Sequence, residues 1–151
     1  MNLKKVLSQD SVRIGLTGTS KNDIIEELVD LIVSNGSGLD RDALLKAVLD
    51  REAQMSTGMK NGIAIPHGKT DAVSDLHAVI GLSAQPVDFE SLDKQPASIF
   101  VMTISPASHT GPHLQFLAEV SGLLTKDEVR SKILAARDEG ELLKCFLEGA
   151  G

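Results

Sequence analysis

The stretch Gly58-Met59-Lys60-Asn61-Gly62-Ile63-Ala64-Ile65-Pro66-His67-Gly68-Lys69 constrains the fold more than any other part of the chain. Two glycines permit tight turns, and three apolar residues, two of them β-branched, then suffice for a short buried strand. Pro66 has no N–H to give to a ladder and holds Ile65 extended, so the strand is expected to end there. His67 follows at the tip, with Gly68 behind it leaving clearance for a large group to approach. The rest of the chain must therefore build a sheet that carries this segment and helices that face its end.

The neighbouring patterns supply those parts. Val12–Leu16 alternates and reads as a first strand. Ser20 can cap a helix with Ile24, Ile25, Leu28, Leu31 and Ile32 on one face, stopped at Asn35-Gly36-Ser37-Gly38. Asp40 can cap a second, with Ala43, Leu44, Ala47 and Val48 as its inner stripe, which continues to Arg51 and Met55. Strands follow at 76–82, with a brief extension at 86–89, and at 97–104, the last so apolar that it belongs in the sheet centre. After His67, residues 68–71 read as a loop that separates these strands from the Ile63–Ile65 strand. Pro112 suits the first turn of a helix with Leu114, Leu117, Ala118, Ser121 and Leu124 facing inward, and helices over about 127–136 and 139–147 complete the order. No repeat or linker interrupts it, so one domain over 1–151 is expected; Gly149-Ala150-Gly151 reads as a frayed tail or the start of a linker.

Composition narrows the function. A net charge of −6 argues against nucleic acid. Tryptophan and tyrosine are absent, which leaves few platforms for stacking a base or a sugar. No apolar run reaches the roughly 20 residues of a membrane span, and no apolar run follows Lys4-Lys5 as in a signal peptide. Cys145 is the single cysteine, which excludes an internal disulfide and fits a reducing, cytoplasmic setting.

Four histidines are candidates for chemistry: His67, His77, His109 and His113. His77 reads as a structural or surface residue of its strand, and His109 as a loop residue. His113 sits in the first turn of a helix, where the dipole favours an anion and disfavours imidazolium, so it is either a neutral donor or simply solvated. His109 and His113 share metal-ligand spacing, but Pro112 breaks the face between them and no second ligand pair is evident, so no metal and no cofactor are expected. Gly68-Lys69-Thr70 resembles the end of a Walker loop, yet Ile63 stands where its first glycine is required. No serine-hydrolase elbow occurs. Arg51, on the apolar side of its helix, needs a partner: either an ion pair with Asp50 or Glu52, or a site beside His67, to which the short loop could return it. A histidine at a strand end, an arginine and a second histidine at a helix N-terminus together suit a phosphoryl group carried on nitrogen. Neutral imidazole is the nucleophile, and arginine and N–H donors hold the oxygens.

Arg51-Glu52, Ser56-Thr57-Gly58, Asn61–Lys69 and His113-Leu114-Gln115-Phe116-Leu117-Ala118-Glu119 together closely resemble the IIA domain of the bacterial phosphotransferase system. The likeness is to the fructose/mannitol class, which includes the nitrogen-regulatory IIA proteins. The resemblance implies a three-layer α/β/α sandwich around a central mixed β-sheet. It implies His67 as the phosphorylated nucleophile, through Nε2, Arg51 as the phosphate-stabilising residue and His113 as the second active-site histidine. It implies an upstream histidine phosphocarrier, HPr or a paralogue, and a downstream IIB domain serving sugar uptake, with no metal. Gly111-Pro112 departs from the polar residue that often precedes the second histidine. A regulatory IIA role, controlling kinases, channels or transcription through phosphorylation, is the alternative. Met55, Met59 and Phe89 are candidates for an apolar docking rim, with at least one of them expected in the core.

Overall fold

The computed structural model describes residues 3–108 and 111–149. His109, the first two residues and the Ala150-Gly151 tail lie outside them.

Short apolar strands build a five-stranded mixed sheet. Strands β1 (Val12–Leu16), β2 (Ile63–Ala64), β3 (His67–Lys69), β4 (His77–Val87) and β5 (Ala97–Ser105) are arranged β1-β4-β5-β2, with β3 also paired to β5. β1 runs parallel to β4, β4 antiparallel to β5, and β2 and β3 parallel to β5. The 97–104 run is thus central, as its hydrophobicity predicts.

Helices cover both faces because β4 and β5 are apolar on both. Ala78, Ile80, Leu82, Ile99 and Val101 join a core with α1 (Leu3–Val6), α4 (Gly111–Leu124), α5 (Asp127–Leu134) and α6 (Glu139–Gly149). Val79, Phe100, Met102 and Ile104 join another with α2 (Lys21–Asn35) and α3 (Arg41–Gln54). The result is the expected α/β/α layering. Ser20 caps α2 by accepting from the Asp23 N–H, and Asp40 caps α3 by accepting from Ala43. No helix among the described residues is long and apolar enough to cross a membrane.

Three expectations are corrected. First, Pro66 interrupts the edge strand without ending it. Its carbonyl accepts from the Thr103 N–H at 3.2 Å, and pairing with β5 resumes at once as His67↔Thr103, Gly68↔Ile104 and Lys69↔Ser105. His67 therefore opens a second short strand and is not followed by a loop. Losing an N–H does not remove the carbonyl of the same residue.

Second, the clearance at Gly68 belongs to a helix. A Cβ there would lie 2.9 Å from both Ala47 C and Val48 N, so α3 packs backbone to backbone on β3. Gly68→Ala is expected to cost about 1–3 kcal/mol, the usual range for overpacking. The midpoint of urea unfolding checks this; an unchanged midpoint would mean that α3 withdraws freely.

Third, α4 is rotated from the predicted face. His113, Phe116, Val120, Leu123 and Leu124 are its buried residues, whereas Leu114 is 59% exposed and Ala118 and Ser121 face solvent. Phe116 and Val120, both fully buried, are the side chains that α4 gives to the core, and the same face carries His113 inward.

Candidate functional site

The site lies on the free edge of the sheet, where β3 begins beside the carboxyl end of its parallel neighbour β5. Open α/β sheets commonly bind ligands in that region. Asn61 and Gly62, with φ of 65° and 77°, make the turn into β2, a conformation for which an Asn-Gly pair is well suited. From there Ile63 and Ile65 face the α4 core while Ala64 faces the α3 core. The same alternation carries His67 to the α4 side and Gly68 to the α3 side.

His67 is half-buried, and its Nδ1 lies 3.0 Å from the Ile65 carbonyl oxygen. A carbonyl only accepts, so Nδ1 bears the proton and Nε2 keeps its lone pair. Burial lowers the imidazole below the ordinary histidine range; the Ile65 carbonyl opposes this, and Arg51 supports it. The ring is thus neutral at pH 7, and Nε2 is the nitrogen that keeps a lone pair.

Arg51 arrives from the last turn of α3. Its Nη1 donates to the Met55 carbonyl at 2.8 Å, which fastens the guanidinium to the end of its own helix. Neither neighbouring carboxylate holds it: Asp50 pairs with Lys46, and Glu52 pairs with Lys21 at 2.7 Å. Glu52 also accepts from the Thr57 N–H and hydroxyl, which ties the loop after α3 to that helix. Arg51 and His67 line one cleft of about 380 Å³, together with Asp50, Gln54 and Lys69. Arg51 thus stands beside His67 and is not paired with Asp50 or Glu52.

His113 stands behind His67. The two ring centroids are 5.4 Å apart with planes tilted by 53°. His113 is only 2% exposed, and its Nε2 lies 2.9 Å from the Thr103 hydroxyl. Burial, aided by His67 and Lys69, pushes its pKa down to about 4, so it too is neutral at pH 7. The solvated alternative for His113 is excluded by this burial. A histidine held neutral in the fold charges more readily when unfolded, so it favours unfolding as pH falls from about 6.5 towards about 4. The expected loss over that window is on the order of 2–3 kcal/mol. Urea midpoints measured across that range check it: the slope should flatten in His113→Gln, and an identical slope would contradict the assignment.

Lys69, two residues beyond His67, is a cation of the cleft with no role evident from the sequence alone. Its signal was available, since period two puts it beside His67 once 67–69 is a strand. His77 is half-buried at the start of β4 and does not line the cleft. Phe89 is fully buried against Phe100 and is core; Met55 and Met59 are 63% and 42% exposed. Among the described residues no cluster of three or more His, Cys, Asp or Glu side chains could hold a metal ion.

Residues 5–149 match the family model for the phosphoenolpyruvate-dependent sugar phosphotransferase system, EIIA 2. The fructose-specific EIIA component of Haloferax volcanii is 42% identical over 120 residues, covering 80% of this chain and 78% of that protein. A nitrogen regulatory protein of Klebsiella oxytoca is 31% identical over 151 residues, covering 98% and 91%. The fructose-specific EIIABC component of Bacillus subtilis is 35% identical over 143 residues, covering 95% of this chain; the chain spans only 22% of that protein. Among solved structures, IIA-Ntr from Neisseria meningitidis superposes with a TM-score of 0.89 at 24% identity, covering 95% of this chain and 98% of that one. IIA mannitol from Escherichia coli, solved in complex with phosphorylated IIB, superposes at 0.81 with 19% identity, covering 94% and 97%.

Proposed function

The chain belongs to the EIIA 2 family of the phosphoenolpyruvate-dependent sugar phosphotransferase system, and on that premise we propose that His67 is its phosphoryl carrier. Members of the family are phosphotransferase components. The observation that carries the assignment is the His67 ring itself: Nδ1 is held by the Ile65 carbonyl, while Nε2 is left as a lone pair in a cleft shared with Arg51.

In the forward step Nε2 of His67 attacks the phosphorus of a phosphohistidine on an HPr-like protein. The N–P bond to the donor breaks as the new one forms, and the donor ring leaves with the electron pair. No metal or cofactor is needed, because positioning and positive charge do most of the work in phosphoryl transfer. Arg51 holds the equatorial oxygens, Lys69 adds charge, and the retained Nδ1–H bond to Ile65 stabilises the ring as it becomes cationic. The return step passes the group to a IIB domain for sugar uptake. The EIIABC relative and the IIA–IIB complex support that acceptor. We read the chain as a single IIA domain over 1–151, acting in the cytoplasm beside these partners, without nucleic acid.

The test is to incubate the protein with phosphoenolpyruvate, the general phosphotransferase enzyme and an HPr-like protein, then locate the group by mass spectrometry and by phosphorus–proton NMR. A phosphohistidine at His67 Nε2 is expected. Phosphate at another residue, or at Nδ1, would overturn the assignment.

A regulatory role has its own support in the nitrogen regulatory relatives, since the chain covers 91% of the one from Klebsiella oxytoca. Phosphorylation adds about −1.5 to −2 charges at the cleft, enough to change affinity for a regulatory protein. Transfer from the phosphorylated chain to a IIB domain supports transport; phosphorylation without such transfer supports regulation.

A further inference from the structure

Thr103 touches both halves of the site. Its backbone N–H donates to the Pro66 carbonyl, immediately before His67, at 3.2 Å. Its hydroxyl lies 2.9 Å from Nε2 of His113. It is fully buried, and it is the register partner of His67 itself. In a strand its β-branched side chain has a restricted χ1, so the hydroxyl is well aimed.

We propose that Thr103 is a positioning residue whose hydroxyl donates to Nε2 of His113, fixes that ring as the Nδ1–H tautomer and holds one buried N–H in reserve for a phosphoryl oxygen on His67. The last part rests on His67 being the phosphoryl carrier.

The use left for the second nitrogen selects the tautomer. A hydroxyl can donate or accept, so the contact alone allows two arrangements, and each leaves one donor and one acceptor unmet. If Nε2–H donated to the hydroxyl, Nδ1 would be a buried lone pair with nothing to give a phosphoryl oxygen. If the hydroxyl donates, Nδ1 carries the proton and can donate to such an oxygen, which only accepts. Nδ1 is a buried nitrogen with no partner among the described residues, in a ring whose centroid is 5.4 Å from that of His67. A native donor left empty calls for an acceptor that comes and goes. The oxygens of a phosphoryl group on His67 supply one. The Thr103 contact leaves the ring no other N–H to offer, so Thr103 decides which nitrogen of His113 serves the reaction.

Nitrogen-15-resolved NMR of the unphosphorylated full chain reads the tautomer directly. Wild type and Thr103→Ser are expected to show His113 protonated at Nδ1. Thr103→Val, nearly the same shape without the hydroxyl, is expected to move the proton towards Nε2. Its initial rate of phosphoryl uptake from the HPr-like donor should fall about tenfold, and Thr103→Ser should stay within about twofold of wild type. A purely structural role would move stability and leave the tautomer alone. Protonation of His113 at Nε2 in wild type overturns the proposal, as does an Nδ1–H ring in folded Thr103→Val. If Thr103→Val does not fold, the wild-type tautomer and the Thr103→Ser rate decide the matter. The tautomer is read without phosphate, so its failure is distinct from failure of the carrier reading, which would appear as no phosphohistidine on wild-type His67.

Discussion

Replacing His67 with alanine is expected to abolish phosphoryl uptake while the protein stays folded. The loss should be complete because no second histidine among the described residues is placed to take its place. His113 is 2% exposed and lies behind His67, with one nitrogen engaged by Thr103 and the other buried. Removing the His67 ring opens space but does not move His113, whose helix is fixed to the core through Phe116, Val120 and Leu123. The fold should survive because His67 is a half-buried edge residue whose strand pairing uses backbone groups. Uptake of label from phosphoenolpyruvate through the upstream proteins measures the effect. Loss by more than about a thousandfold is expected when the nucleophile itself is removed. His77→Ala serves as the control and should keep wild-type uptake, since His77 does not line the cleft. Label retained in His67→Ala would sink the reading.

How much of this was legible in the sequence depended on the range of the interaction. The caps at Ser20 and Asp40, the stripe of α2 and the central strand 97–105 are local patterns, and they formed where the residues required; in α3 Leu44 and Val48 are buried as expected, but the stripe turns to Glu52 and leaves Met55 exposed. Arg51 and His67 lie only a short loop apart, so their convergence could be anticipated. What could not be anticipated was set by partners distant in sequence. Nothing near Pro66 says that β5 will go on pairing beyond it; the acceptor role of its carbonyl depends on Thr103. Nothing near Gly68 says that α3 will use its missing side chain. Period counting in α4 seized on Leu114 and Leu117, because leucine weighs more than histidine on any hydrophobic scale. Yet His113, Phe116, Val120 and Leu123 form an equally good helical stripe, and it is this one the sheet accepts. A polar residue on the buried stripe was the sign to look for, since burial of a histidine requires a partner. That partner, Thr103, had no local signal: in sequence it is one threonine in an apolar strand.

Arg51 carries the second large effect. Arg51→Ala is expected to slow phosphoryl transfer onto His67 about a hundredfold, the scale on which removing one charge-stabilising donor acts in other enzymes. Arg51→Lys should recover only part of it and remain about tenfold slow. The reason is geometric. The guanidinium has two tasks: Nη1 donates to the Met55 carbonyl, and the rest of the fork faces the cleft with His67. A planar group with five donors can do both at once; an ammonium on a flexible stem can satisfy the carbonyl or reach the phosphoryl oxygens, and is not held between them. The charge is nearly the same in both cases, so the gap between lysine and arginine isolates the contribution of the fixed fork from that of the field. Rapid-quench measurement of a single turnover from the HPr-like donor would read the transfer step apart from docking. The rate at saturating donor should fall in both variants, with docking affinity little changed. If Arg51→Lys transfers at the wild-type rate, the fork has no part in holding the phosphoryl group, and Arg51 serves only to end α3 on its own carbonyl.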